Sequence, residues 1–121
     1  MSQKETNVWR QIILDAQALG FRLFRNQRYK GFSDKGAWLD CGVGSNGGSD
    51  LIGYRIITIT PDMVGRTVAV FTAIEAKVKG GNKRLEQKQF IEAVEKNGGI
   101  ALFATDIEQV KKYIDVQIKN T

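Results

Sequence analysis

Thr67-Val68-Ala69-Val70-Phe71-Thr72-Ala73-Ile74-Glu75-Ala76-Lys77-Val78 is an apolar, β-favouring run that admits two charges only near its end. Val, Ile, Phe and Thr at this density predict a strand over 67–78. Apolar residues fall on both of its faces, as expected at the centre of a covered sheet. Alternate strand side chains share a face, so Glu75 and Lys77 point the same way. Upstream, Gly48-Ser49-Asp50-Leu51-Ile52-Gly53 brings a second acid to the start of another apolar segment. Two carboxylates and a lysine at the ends of buried strands are costly to place without a service to perform. The service that suits them is holding a hard divalent cation beside a phosphate.

Outward from this run the chain is well punctuated. Val8, Trp9, Ile12, Ala16 and Leu19 keep helical spacing and predict a helix from Gln3 to Leu19, stopped by Gly20. Phe21–Phe24 predicts a short strand, 25–35 a polar loop and 37–43 another short strand. Asp50–Thr60 reads as a strand bent at Gly53 and ended by Pro61, the only proline. Gly80-Gly81-Asn82 breaks the chain, with Asn82 as cap of a helix over 83–96 that ends at Asn97-Gly98-Gly99. A short buried strand follows over 100–104. Thr105-x-x-Glu108 then reads as the capping box of a last helix, striped by Ile107, Val110 and Ile114. The order is helix, several strands, helix, strand, helix: an α/β chain, expected to form a single domain over 1–121. Trp9 and Trp38 read as core.

Composition narrows the chemistry. The 121 residues carry 18 Lys and Arg against 13 Asp and Glu, a formal charge of +5, which suits a polyanionic partner such as nucleic acid. No apolar run approaches a membrane span and no leader pattern is evident, so no membrane partner is expected. The lone Cys41 has no internal disulfide partner, which suits a reducing, cytoplasmic setting. Histidine is absent, which excludes a Ser-His-Asp triad, a Cys/His zinc site and any histidine general base. Hydrolysis by this chain has to rely on carboxylates, lysine and metal.

Two further polar residues align with apolar stripes. Gln87 precedes Phe90, Ile91 and Val94 by three, four and seven positions, on the inward face of its helix, from which its amide can reach a carboxylate or a phosphate. Glu5 aligns with Val8 and Trp9 on the first helix, although Ser2-x-x-Glu5 is also a capping box that needs no active site. Lys79, Lys83 and Arg84 flank the Gly80-Gly81 break, and Arg22, Arg25, Arg28 and Lys30 interleave with Tyr29 and Phe32. Either group could contact a phosphate backbone, and either could be plain solvated surface. Gly42-x-Gly44-x-x-Gly47 matches the dinucleotide fingerprint as a string but leads into a strand instead of a helix, so no nucleotide cofactor is expected. These glycines read as a mobile turn that leaves space beside Asp50.

Taken together, these residues resemble the VRR-NUC branch of the PD-(D/E)XK nucleases. Glu5 is similar to that family's acid on the first helix, and Arg25-Asn26 resembles its Arg-x-Asn-like segment with the spacer missing. Gly48-Ser49-Asp50-Leu51-Ile52-Gly53 resembles the Gly-x-Ser/Pro-Asp-hydrophobic-x-Gly motif, with Ser49 where the superfamily name has proline. Ala73-Ile74-Glu75-Ala76-Lys77 resembles the Glu-x-Lys strand, and Glu86-Gln87-x-x-Phe90-Ile91 the helix bearing the family glutamine. The shortness of the chain resembles the stand-alone members of phages and prophages.

The resemblance implies a restriction-endonuclease-like core, a mixed central sheet flanked by helices. It implies hydrolysis of DNA phosphodiesters with Mg²⁺ or Mn²⁺, and a homodimer that resolves branched DNA such as four-way (Holliday) junctions in a bacterial or phage-infected cell. On that pattern Asp50 and Glu75, helped by Glu5 and the Ala76 carbonyl, hold one or two metal ions. Lys77 orients or deprotonates the attacking water, orientation being favoured, and Gln87 positions water or phosphate. Arg25, Asn26, Arg28, Lys30, Ser49, Lys79, Lys83 and Arg84 are the candidate DNA contacts. The alternatives are a flap or single-strand nuclease, and a non-catalytic nucleic-acid-binding module on a nuclease fold.

Overall fold

The computed structural model describes residues 2–44 and 47–119, with side chains through residue 115. The chain is mixed α/β. It divides into two compact units, Met1–Ile59 and Thr60–Thr121, each taken by itself below.

The first unit opens with helix α1 (Gln3–Gln17), whose Ser2 hydroxyl accepts the Glu5 N–H at 3.2 Å. This satisfies one of the donors left over at any helix start. Gly20, at φ +87°, turns the chain into strand β1 (Phe21–Arg25). β1 pairs antiparallel with β4 (Leu51–Arg55), Phe21 opposite Arg55 and Arg25 opposite Leu51. The ladder runs one bond further at each end, from Ile56 N–H to Gly20 C=O and from Asn26 N–H to Asp50 C=O. β4 is therefore shorter than the expected 50–60, because its partner offers no backbone beyond Gly20. Gly53 lies against the partner strand so closely that a Cβ there would sit 1.8 Å from the Arg22 carbonyl oxygen. The bend expected at this residue is a close backbone approach.

The loop expected over 25–35 contains a strand. β2 (Tyr29–Phe32) pairs antiparallel with β3 (Trp38–Cys41), Phe32 opposite Trp38. Ser33 closes the turn: its hydroxyl accepts the Lys35 and Ala37 N–H groups, and its own N–H bonds the Ala37 carbonyl at 2.7 Å. Trp38, expected in the core, is 60% exposed and meets Phe32 edge-on, ring centres 5.1 Å apart.

The second unit begins with a 3₁₀ turn (Pro61–Met63) and then strand β5 (Thr72–Ala76). β5 pairs parallel with β6 (Ile100–Ala104), Glu75 opposite Phe103, and helix α2 (Leu85–Lys96) forms the crossover, as a parallel pair requires. The ladder extends to the Lys77 N–H on the Ala104 carbonyl and to the Ile100 N–H on the Phe71 carbonyl. The strand expected over 67–78 is shortened because β6 starts only after the Gly98-Gly99 break. Its side chains alternate strictly, Ala73 and Glu75 inward and Thr72, Ile74 and Ala76 outward, with Ile74 47% exposed. The expectation of a strand buried on both faces is thus corrected to one buried face. Val94, Ala101 and Ala104 form the unit's buried centre.

Helix α2 starts at Leu85 with Arg84 as its N-cap, two residues beyond the expected Asn82. Helix α3 (Ile107–Lys119) starts one residue late as well. The Asp106 carboxylate accepts the Gln109 N–H at 3.0 Å, and the Gln109 amide oxygen accepts the Thr105 N–H at 2.7 Å. This reciprocal pair replaces the Thr105/Glu108 box; aspartate is the stronger cap and sits one position along. Among the described residues, no helix is long and apolar enough to cross a membrane.

Candidate active site

Of the expected acids, Glu5 and Asp50 lie in the first unit and Glu75 in the second, and Asp50 and Glu75 are held differently. In the first unit Asp50 sits one residue before β4, at the end of a glycine-rich loop. Asn26, one residue past β1, is only 6% exposed, although an amide is costly to bury. Its side chain offsets that cost by bonding backbone three times. The amide nitrogen donates to the Val43 carbonyl at 2.8 Å and the Ser49 carbonyl at 2.9 Å, and the amide oxygen accepts the Val43 N–H at 3.0 Å. Asn26 thus pins both ends of the loop, and its own N–H holds the Asp50 carbonyl at 2.8 Å. Its hydrogen-bonding groups face protein backbone; it positions the loop that presents Asp50.

The loop glycines serve this close packing. Gly42 and Gly44 take φ of +93° and +91°, which other residues adopt only with strain. A Cβ on Gly48 would lie 2.0 Å from the Val43 carbonyl oxygen, and the stem of Arg28 crosses both Gly42 and Gly48. The backbone is closely packed at Gly42, Gly44 and Gly48, whereas a Cβ on Gly47 would meet open space. Residues 45 and 46 lie outside the described residues. Ser49 turns its hydroxyl to the Leu51 carbonyl at 2.7 Å.

Arg25 was expected only as a DNA contact. Its Nη1 donates to the Asp50 carbonyl at 2.8 Å and stands 3.3 Å from the Asp50 carboxylate. The guanidinium lies 5.3 Å over the Trp9 ring, and Arg10 lies 5.5 Å from the same ring. Trp9, read as core, is half-buried and acts as a platform for arginine. Glu5, Trp9, Asp50 and Leu51 line a hollow of about 260 Å³ in this unit, so the first-helix acid and the loop acid open onto the same space.

In the second unit the acid is held by side chains on regular elements. Glu75, near the end of β5, accepts a hydrogen bond from the Gln87 amide at 2.8 Å, and the Lys77 ammonium stands 3.8 Å from the same carboxylate oxygen. The two strand residues share a face, as the alternation of a strand requires. Gln87 is half-buried on the inward side of α2, in line with Ile91 and Val94. Its amide oxygen accepts the Arg84 N–H at 3.2 Å, so one side chain caps the helix and braces the acid. The Lys83 ammonium lies 4.8 Å over the Phe103 ring, while Lys79 and Arg84 are exposed.

Glu5, Asp50, Glu75 and the Ala76 carbonyl are hard oxygen donors, the type that suits Mg²⁺ or Mn²⁺ over softer ions. Within neither unit do the described residues gather three or more acidic or cysteine side chains around one point. A cation held within one unit would complete its shell with backbone carbonyls and water, as Mg²⁺ commonly does. No protein-family model and no curated protein matches the sequence, and no solved structure matches the fold.

Proposed function

We propose that the chain is a divalent-metal-dependent DNA endonuclease with a restriction-endonuclease-like core, acting on branched DNA such as four-way junctions. The observation that carries this reading is the Glu75–Lys77–Gln87 group: one carboxylate, one ammonium and one amide meet at the end of a strand. Pure phosphate binding gains nothing from an acid braced in this way, since a carboxylate repels phosphate. Asp50 and Glu75, with Glu5 and the Ala76 carbonyl, are the proposed ligands. A bound Mg²⁺ or Mn²⁺ supplies the charge that activates water and neutralises the scissile phosphate. Lys77 orients the attacking water and offsets charge developing on the phosphate. Gln87 keeps the Glu75 carboxylate aimed. Arg28, Lys30, Lys79, Lys83 and Arg84 supply phosphate contacts. A four-way junction is cut symmetrically by two sites, which a two-fold homodimer provides.

The test is incubation of the purified protein with four-way, flap, single-stranded and duplex DNA, in Mg²⁺ or in EDTA. Cleavage of the junction in Mg²⁺ alone is expected, with a loss of about 100-fold or more in Asp50→Asn and Lys77→Ala. Normal cleavage by either variant would defeat the assignment. Cleavage confined to flap or single-stranded DNA would redirect it within the same chemistry. The formal charge of +5 favours a second reading, a DNA-binding module without catalysis. It predicts DNA binding with no saturable uptake of Mn²⁺.

A further inference from the structure

Arg25 meets Asp50 through two contacts of unequal strength. Its Nη1 bonds the main-chain carbonyl at 2.8 Å but reaches the carboxylate only at 3.3 Å. The carboxylate contact is also wet, with the Arg25 side chain 28% and the Asp50 side chain 57% exposed. An ion pair this long and this exposed contributes little. The carbonyl bond and the stack on Trp9 at 5.3 Å do not depend on the carboxylate. The guanidinium therefore stays beside Asp50 when the weaker contact breaks. A divalent cation on Asp50 would break it twice over, by taking the carboxylate's lone pairs and by repelling the guanidinium.

Resting on the nuclease reading, we infer that Arg25 is the counter-ion of Asp50 in the metal-free protein, yields the carboxylate to an arriving divalent cation, and then takes a phosphate oxygen of the DNA. A guanidinium presents several donors in a rigid plane that matches phosphate, and it stays charged throughout. Arg25 is on this view a positioning residue with opposed effects on the two ligands. It weakens metal binding in the absence of DNA and strengthens DNA binding once metal is present. A free carboxylate with no counter-ion would bind metal more tightly but would lose this coupling.

The two effects separate in one variant. Mn²⁺ is titrated into the DNA-free protein, with the free ion followed by its paramagnetic resonance, and the salt dependence of KM for a four-way junction is measured with the ion present. Arg25→Gln is expected to bind Mn²⁺ about two- to five-fold more tightly than wild type. The salt slope of its KM should fall by about one charge. Arg25→Lys, which keeps the charge, should restore the slope. General damage to the fold would weaken both ligands, so weaker or unchanged Mn²⁺ binding in a folded Arg25→Gln overturns the inference, as does an unchanged slope. If Arg25→Gln does not fold, Trp9→Leu removes the stack and should tighten Mn²⁺ binding in the same direction; looser binding counts against the inference. Absence of saturable Mn²⁺ uptake by the wild type would instead defeat the nuclease reading itself.

Discussion

The two units place an acid by opposite means. In the first, Asp50 is located through main chain: Asn26 holds the carbonyls of Val43 and Ser49, and the β1–β4 ladder holds the Asp50 carbonyl. In the second, Glu75 is located by the regular pleat of β5 and braced by the side chains of Gln87 and Lys77. Regular backbone positions an acid cheaply, because the strand and helix already fix its neighbours. The glycine-rich loop before Asp50 has no such ladder, and a buried amide with three bonds to backbone holds it until the β1–β4 ladder begins at Asp50. The first arrangement should therefore be sensitive to anything that moves backbone, and the second should tolerate loss of a single side chain.

The largest expected effect is at Gly53. A methyl there would overlap the Arg22 carbonyl, a backbone atom with no room to retreat. Gly53→Ala should lose about 3 kcal/mol or more of stability in urea denaturation. Gly80→Ala is its counterpart in the second unit: nothing lies within 4 Å of a Cβ there, and only the φ of +77° opposes it. Its cost should be about 1–2 kcal/mol.

Next comes Asn26→Ala. It strips partners from the Val43 N–H and from two carbonyls, one shared by each end of the loop. A loss of about 2–3 kcal/mol is expected, with faster amide exchange at Val43. Gln87→Leu keeps the packing volume on α2 but removes the brace on Glu75 and the bond to the Arg84 N–H. It should cost about 1 kcal/mol, measured in the same way. Equal losses for Asn26→Ala and Gln87→Leu would erase the contrast. Smallest is Lys77→Ala, which breaks a 3.8 Å ion pair and should change stability by less than about 1 kcal/mol, whatever it does to cleavage.

Much of the second unit was legible because its signals are periodic. Alternation along β5 puts Glu75 and Lys77 on one face, and helical spacing aligns Gln87 with Ile91 and Val94; both relations hold in the structure. Strand length was not legible, since it is set by where the partner starts, and β6 starts only after Gly98-Gly99. The first unit was harder. The β2–β3 hairpin hides behind a polar composition, although Ser33-Asp34-Lys35-Gly36, with Gly36 at φ +79°, carries the turn chemistry that makes it. The holding role of Asn26 has no periodic signature, because its partners lie 17 and 23 residues away. An amide directly after a short strand and well before a glycine-rich loop was the available hint. Trp9 read as core by composition, and only the geometry pairs it with arginine.

The central claim is that Glu75, braced by Gln87 and set beside Lys77, is a metal ligand, and Mn²⁺ titration tests it most directly. Mn²⁺ affinity and stoichiometry are measured for wild type, Glu75→Gln and Gln87→Leu, each checked for folding. Ligation by Glu75 predicts saturable Mn²⁺ binding by the wild type, loss of most of that affinity in Glu75→Gln, and a smaller loss in Gln87→Leu, which keeps the acid and removes only its brace. Unchanged Mn²⁺ binding by a folded Glu75→Gln would contradict it.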